Sequence, residues 1–162
     1  PDLFDPRRFA DLGRHFAGRI PLAAFSRLAP LLADSSGDAE FELGFQREGR
    51  RAVIRGRVRA ELQLECQRCR GPMAFEAVSV ICLAVVEVLD EIERLPESYD
   101  PLLLQAPTLK LVELLEDELL LSLPQVPMHA PGQCAAARAS EPAEAATAEE
   151  NPFAVLAELK RK

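Results

Sequence analysis

The chain has 162 residues, a formal net charge of −7 and no tryptophan. This length suits one domain with a real core, and no apolar stretch is long enough to cross a bilayer. The chain carries four cysteines, and no basic, apolar and small-residue signal segment opens it. We therefore expect a cytoplasmic protein whose cysteines are free thiols or metal ligands.

Charge is unevenly distributed along the chain. Between residues 46 and 70 there are eight arginines and three glutamates, a net charge of +5. Residues 87–118 carry ten acidic and two basic residues, a net charge of −8. Separate basic and acidic stretches are compatible with two kinds of partner, a polyanion and a basic protein.

The first predicted elements are two short helices, at residues 6–16 and 22–32, and strands follow. In residues 39–45, apolar and polar residues alternate weakly. The clearest period of two runs from Ala52 to Cys66, with small and apolar residues on one face and mostly charged residues on the other. This pattern predicts a long strand with one buried and one exposed face.

The second half begins with a strand at Met73–Leu89, whose apolar residues on both faces from Ala77 onward are typical of a covered, central strand. Thr108 then predicts the start of a helix that ends before Pro124. The buried stripe predicted for that helix is Val112, Leu115, Leu119 and Leu123.

Together these elements predict an α+β fold. We expect an antiparallel sheet built around residues 39–89, with helices from both ends packed on it and a flexible acidic tail. Residues 1–134 form the predicted domain. Residues 135–150, mostly alanine, glutamate and other small residues, predict a flexible linker.

An amphipathic helix is predicted at residues 151–162, because Asn151 is a good N-cap, Pro152 suits the first turn and the end is basic. So short a helix is marginal alone, so it must dock either on its own domain or on a partner. The residues predicted to contact a partner are Phe153, Leu156, Lys160 and Arg161.

Arginines recur on the exposed face of the long strand and in the turn that follows it. Alternate strand residues are about 7 Å apart, a spacing comparable to that of nucleic-acid phosphates. The alternative is a solvated strand face that keeps an edge soluble. The predicted RNA-binding residues are Arg51, Arg55, Arg57, Arg59, Arg68 and Arg70.

Cys66 and Cys69 form a Cys-x-x-Cys pair, and His129 and Cys134 follow about sixty residues later. Two thiolates at this spacing can face one metal ion from a tight turn, and a histidine with a third cysteine completes a tetrahedral set. The prediction is one structural zinc ion. A redox pair and ordinary unreactive thiols remain alternatives.

No arrangement of residues predicts catalysis. The consecutive acids Glu116, Asp117 and Glu118 do not share one face of a helix, which argues against a catalytic carboxylate pair. The sequence also lacks a P-loop or a nucleophile motif. We expect a protein that is not an enzyme and has no small-molecule substrate.

Several separated motifs occur in an order that resembles the bacterial YceD family, also called large ribosomal RNA subunit accumulation protein. The motifs are Leu64–Cys69, Leu95–Pro101, Glu116–Glu118 with Leu121–Pro124, Val126–His129, Cys134 and Asn151–Leu156. The resemblance runs from about Arg51 to the end, and the first 35 residues match poorly. It brings no established catalytic residues.

The resemblance implies a role in synthesis, processing or stability of large-subunit ribosomal RNA. The expected partner is ribosomal RNA, a pre-ribosomal particle or a basic ribosomal protein. We expect no binding to a membrane. One alternative is an acidic chaperone that uses Glu87–Glu118 to shield a basic ribosomal protein. An RNA-processing enzyme is the second alternative, disfavoured by the missing catalytic groups.

Overall fold

The structure, a computed structural model, describes residues 3–134. The predicted linker at 135–150 and helix at 151–162, with Phe153, Leu156, Lys160 and Arg161, lie outside the described residues. The elements are β1 (Leu3–Phe4), α1 (Pro6–Asp11), β2 (His15–Pro21), β3 (Leu32–Asp34), β4 (Asp38–Glu48), β5 (Arg51–Glu65), β6 (Pro72–Val86), β7 (Asp100–Leu103), β8 (Leu109–Lys110) and α2 (Leu111–Ser122).

Six of these strands form one sheet in the order β2-β4-β5-β6-β7, with β3 pairing β5 beside the main path. The neighbours are antiparallel except β6 and β7, which are parallel. The α+β class is confirmed in this coarse form. The strands within residues 39–89 pair antiparallel as expected, and the sheet is extended by β2 on one side and by the parallel strand β7 on the other.

The long strand β5 is the centre of the sheet, and its alternating pattern is confirmed. Its even-numbered residues from Ala52 to Leu64 are buried except the half-buried Gly56, while Arg55, Arg57 and Arg59 are exposed. A Cβ atom at Gly56 would lie 2.0 Å from the carbonyl oxygen of Glu42 in β4, so only glycine permits this close strand pairing.

Both helices lie on the same face of the sheet. Helix α2 buries Leu115 and Leu119 there, and Ser79 of β6 donates a hydrogen bond of 2.7 Å to Glu118. Near α1, four aromatic rings stack or meet edge to face with centroids 5.1–5.9 Å apart. They are Phe4, Phe9, Phe16 and Phe45. This core fixes the sheet as a rigid support.

Several predicted boundaries were wrong for identifiable reasons. The first helix ends at Asp11, because Gly13 has a φ of +58° and the chain then enters β2. Residues 22–32 contain two short 3₁₀ turns rather than one helix. Thr108 does not cap α2, since the two residues of β8 come first and pair with β1.

The exposed face of β6 also differs from the prediction of a covered strand. Val78 is 50% and Val80 79% exposed, because no element covers the middle of that face among the described residues. Further along, Ala84 and Val86 are buried on the same face. Only this end of β6 is covered on both sides.

Glu116 of α2 is buried, which its position in a run of acids did not predict. Its carboxylate accepts hydrogen bonds from the backbone N–H of Arg27 at 2.6 Å and of Leu28 at 3.1 Å. The Nε of Arg27 also donates to it at 3.0 Å. The carboxylate thus ties α2 to the chain between the two 3₁₀ turns.

Within residues 3–134, α2 is the longest helix at 12 residues, and none is long and apolar enough to span a membrane.

Candidate metal centre

The four predicted metal ligands come together at one end of β5. Cys66 directly follows β5, Cys69 lies in the turn before β6, and His129 and Cys134 lie in the segment after α2. One ligand atom from each residue lies within 4.8 Å of the other three. Cys66 and Cys134 are buried, and the other two are half-buried.

Backbone hydrogen bonds build the Cys-x-x-Cys turn. The N–H of Cys66 donates to the carbonyl of Gly71 at 2.9 Å, and the N–H of Arg70 donates to the carbonyl of Cys66 at 2.8 Å. Arg70 has a φ of 61°, in the left-handed region that a tight reversal requires. These bonds close a narrow loop that brings both sulfurs to one side.

The segment after α2 folds back onto this turn. The N–H of Gln67 donates to the carbonyl of Pro127 at 2.8 Å. A second turn, closed from Gln133 to Ala130 at 3.1 Å and containing Gly132 at a φ of +82°, returns Cys134 to the site. The sulfurs that are distant in sequence therefore meet.

Three of the six distances between ligand atoms are close to those around a tetrahedral zinc ion, and the other three are within 4.8 Å. With Zn–S near 2.3 Å and Zn–N near 2.0–2.1 Å, a tetrahedron places sulfurs about 3.8 Å apart and sulfur and nitrogen about 3.6 Å apart. The Cys66 and Cys134 sulfurs are 3.8 Å apart. Nδ1 of His129 lies 3.4 Å from the Cys69 sulfur and 3.7 Å from that of Cys134.

Hydrogen bonding to the imidazole sets its tautomer. Nε2 of His129 lies 3.1 Å from the carbonyl oxygen of Pro72, which can only accept, so Nε2 carries the proton. The lone pair of Nδ1 is then directed toward the sulfurs. An imidazole whose other nitrogen donates to a carbonyl is the common arrangement around a metal ion.

The site also favours a thiolate at Cys66. Burial raises the pKa of this thiol, but backbone N–H groups of Cys69, His129 and Arg68 donate to its sulfur and lower the pKa from 9.0 to about 5. At Cys69 the N–H of Gly71 lowers the pKa, yet burial and the neighbouring sulfurs together raise it. Cys66 can therefore bind a metal ion as a thiolate without first losing a proton, whereas the Cys69 thiol would release its proton when the metal binds.

Arg68 lies at this site rather than on the strand face. Its Nε donates to the Cys134 sulfur at 3.1 Å, and one Nη donates to the carbonyl of His129 at 3.1 Å. Three thiolates with a divalent ion would carry a net charge of −1, which this guanidinium would offset. No local pattern distinguishes Arg68 from the other arginines, because its contact with Cys134 depends on the segment that returns after α2.

The other predicted RNA-binding arginines are mostly paired with acids. Arg55, Arg57 and Arg59 of β5 lie 2.9, 3.5 and 2.5 Å from carboxylates of β4, and Arg70 lies 2.9 Å from Glu65. The three β4 partners are Glu48, Glu42 and Glu40, in that order. Arg51 has no carboxylate partner among residues 3–134. The strand face is therefore a charge-balanced surface.

Comparison with known proteins gives the family. Residues 54–160 match the family model described as "Large ribosomal RNA subunit accumulation protein YceD". The chain is also 33% identical over 169 residues to a protein of that same name from Haemophilus influenzae (strain ATCC 51907 / DSM 11121 / KW20 / Rd), across 100% of this chain and 97% of the relative. No solved structure matches the chain. The matched relative thus extends over the first 35 residues as well, which the motifs did not cover.

Proposed function

This chain belongs to the YceD family of large ribosomal RNA subunit accumulation proteins, and on that premise we propose that it supports the accumulation of large-subunit ribosomal RNA. The observation that carries the proposal is the similarity along the whole chain to a relative bearing that name. The protein acts without catalysis, as a cytoplasmic assembly factor that binds ribosomal RNA or a pre-ribosomal particle.

RNA contact through arginine is the first part of this proposal. Arg55, Arg57 and Arg59 are exposed, and surface ion pairs are worth only about 0–1 kcal/mol, so phosphate can replace their glutamate partners at little cost. Among residues 3–134, Arg51 has no such partner to release. Replacing the three strand arginines with glutamine tests this contact by the salt dependence of RNA binding.

A structural zinc ion is the second part. Cys66, Cys69, His129 and Cys134 would hold it, and the ligand spacing and the His129 tautomer support this assignment. The ion would fix the segment after α2 to the β5–β6 turn. In this proposal it supports the fold and takes part in no reaction, because all four tetrahedral positions are filled by protein atoms.

A chaperone for a basic ribosomal protein is the second candidate function. Exposed acids in and beside the 3₁₀ turn after β6 favour it: Glu87, Asp90, Glu91, Glu93 and Glu97. A client of this kind would bind without RNA. The two functions therefore differ in whether nuclease removes the partner.

The test is a deletion strain with affinity capture. We expect deletion to reduce large-subunit ribosomal RNA relative to small-subunit RNA, and the intact gene to restore it. Capture of the full chain from lysate should recover large-subunit RNA, and nuclease should release it. Unchanged RNA levels on deletion would contradict the proposed role, while a ribosomal protein retained after nuclease would favour the chaperone.

A further inference from the structure

An arginine-lined cleft lies at the end of β5 opposite the thiol cluster. It encloses about 650 Å³ beside the turn that joins β4 to β5. Three parts of the chain form it: α1, the β4–β5 turn, and the end of β6 with the 3₁₀ turn that follows. Its charged lining residues are Arg7, Arg47, Glu48, Arg50, Arg51, Glu87, Glu91 and Arg94.

Hydrogen bonds between these parts hold the arginines in place. Arg47 donates to Asp11 at 2.6 Å and to the carbonyl of Arg50 at 3.0 Å, which fixes the turn against the end of α1. Across the cleft, Arg51 donates to the carbonyl of Arg94 at 3.3 Å. Two guanidinium-bearing segments, distant in sequence, are thereby held beside each other.

The cleft has more positive charge than its acids balance. Five arginines and three glutamates line it, a net charge of +2 in a chain whose net charge is −7. Its acids are already engaged: Glu87 pairs with Arg7, Glu48 accepts from Arg55, and Glu91 accepts from the N–H of Glu87. Such a concentration of one charge attracts an ion of the opposite sign.

Three of the five arginines have no acidic partner in the part of the chain that the structure describes. No carboxylate of the described chain lies within salt-bridge distance of Arg50, Arg51 or Arg94. The strand-face arginines already have partners, so these three lose no ion pair when they bind an anion. Arginine presents a planar fork of donors that suits the oxygens of a phosphate group.

We propose that this cleft binds the phosphodiester backbone of RNA, through Arg50, Arg51 and Arg94. The inference rests on the proposed RNA-binding function and assigns its principal site. None of the residues lining the cleft is aromatic, so bases have no aromatic ring to stack on. The lining residues Ala52, Val85 and Val86 offer no hydrogen-bonding side chain, and the three arginines contact phosphate in this proposal, so we expect binding that depends little on base sequence.

The test is binding of the full chain to a fluorescein-labelled 20-nucleotide RNA, measured by anisotropy at several salt concentrations. Replacing Arg50, Arg51 and Arg94 with glutamine should weaken binding about tenfold or more. It should also reduce the slope of log affinity against log salt by about two to three. A second RNA of unrelated sequence should behave alike.

Two further variants make the result specific. Arg8→Gln with Arg14→Gln removes two exposed arginines outside the cleft and should weaken binding less than threefold. Arg55→Gln with Arg57→Gln and Arg59→Gln removes the same charge as the cleft variant from the strand face, and it should weaken binding less than the cleft variant does, because these arginines must first give up a carboxylate partner. A loss in the strand-face variant equal to or larger than that in the cleft variant would overturn the cleft as the principal site and leave RNA binding standing. Equal loss in the Arg8 and Arg14 variant would mean general charge attraction and also overturn it.

Glu91→Gln adds a test in which the expected result is tighter binding, which misfolding would not produce. The amide oxygen can still accept from the N–H of Glu87, while the loss of one negative charge raises the net charge of the cleft by one. RNA affinity should rise about twofold to fivefold, and unchanged or lower affinity contradicts the proposal. Inorganic phosphate and a mononucleotide at millimolar concentration should compete poorly; full competition would indicate a small-anion site instead. No RNA binding by the unaltered protein would remove the proposed function itself.

Discussion

The two ends of β5 differ in whether their polar and charged side chains are paired within the protein. At the Cys66 end, the sulfur accepts backbone N–H bonds, His129 donates to a carbonyl, and Arg68 contacts sulfur. At the other end, about 50 Å away along a 15-residue strand, Arg50 and Arg51 have no acid partner in the described chain.

The difference separates groups that hold the fold from groups that remain available for a ligand. A buried polar group must be paired within the protein, and removing its partner is costly. An exposed charge without a partner contributes little to stability and is already free to meet an oppositely charged ligand. Substitutions at the thiol end should therefore act on stability, and those at the arginine end on RNA affinity alone.

The largest expected effect is that of Cys66→Ser. We expect loss of bound zinc, release of the segment after α2 and a melting temperature lower by about 10 °C or more, because metal binding and folding of this segment are coupled. Calorimetry with metal analysis measures both. The matched control is Cys82→Ser, since Cys82 lies outside the cluster and contacts Arg55 instead. Equal effects from the two substitutions would contradict the structural role.

Glu116→Gln should come next, because the buried carboxylate accepts three hydrogen bonds, one of them from a guanidinium. Its loss should cost about 3 kcal/mol in the free energy of unfolding, measured by urea titration. Asp117→Asn is the control. Asp117 also pairs with Arg27 but is exposed, so about 0–1 kcal/mol is expected. A smaller loss in the free energy of unfolding for Glu116→Gln than for Asp117→Asn would contradict the expectation that the buried carboxylate contributes more to stability.

Acid should weaken the contact of Glu48 with Arg55 and Tyr99. Hydrogen bonds from Arg55 first, and then from Tyr99, lower the pKa of Glu48 from 4.5 to about 2. A folded-state pKa below the unfolded one means that this stabilisation is complete above about pH 4.5 and is lost as the pH falls toward 2.

The carboxyl carbon of Glu48, followed by NMR, measures that pKa directly. Tyr99→Phe removes one of the two main donors and should raise the pKa, with little change at other carboxyl groups. A wild-type pKa near 4.5 would mean that the contact does not form in solution.

The smallest effect on stability is expected from truncation after Glu150. If the predicted helix at 151–162 recruits a partner, removing it should leave the melting temperature within about 2 °C and weaken capture of the ribosomal partner. Phe153→Ala with Leu156→Ala should reproduce the weaker capture. A large fall in melting temperature would instead assign the helix to the domain core.

Local patterns predicted one end of β5 better than the other. The ligand types and the Cys-x-x-Cys spacing were enough to predict which four residues form the thiol cluster. The alternation of buried and exposed residues predicted for β5 is confirmed. The arginine cleft was missed because Arg7, Arg50 and Arg94 meet only through the pairing of the strands. Burial of Glu116 was missed for the same reason: its partners, in residues 27–28, are nearly ninety residues away.

The proposed zinc ion would be the main link between the segment after α2 and the β5–β6 turn. Zinc analysis of protein purified without an affinity tag, combined with X-ray absorption at the zinc edge, tests for that ion. We expect one zinc ion per chain, with three sulfurs at about 2.3 Å and one nitrogen at about 2.0 Å. Protein that folds fully with no stoichiometric zinc, or zinc surrounded by oxygen, would contradict this expectation.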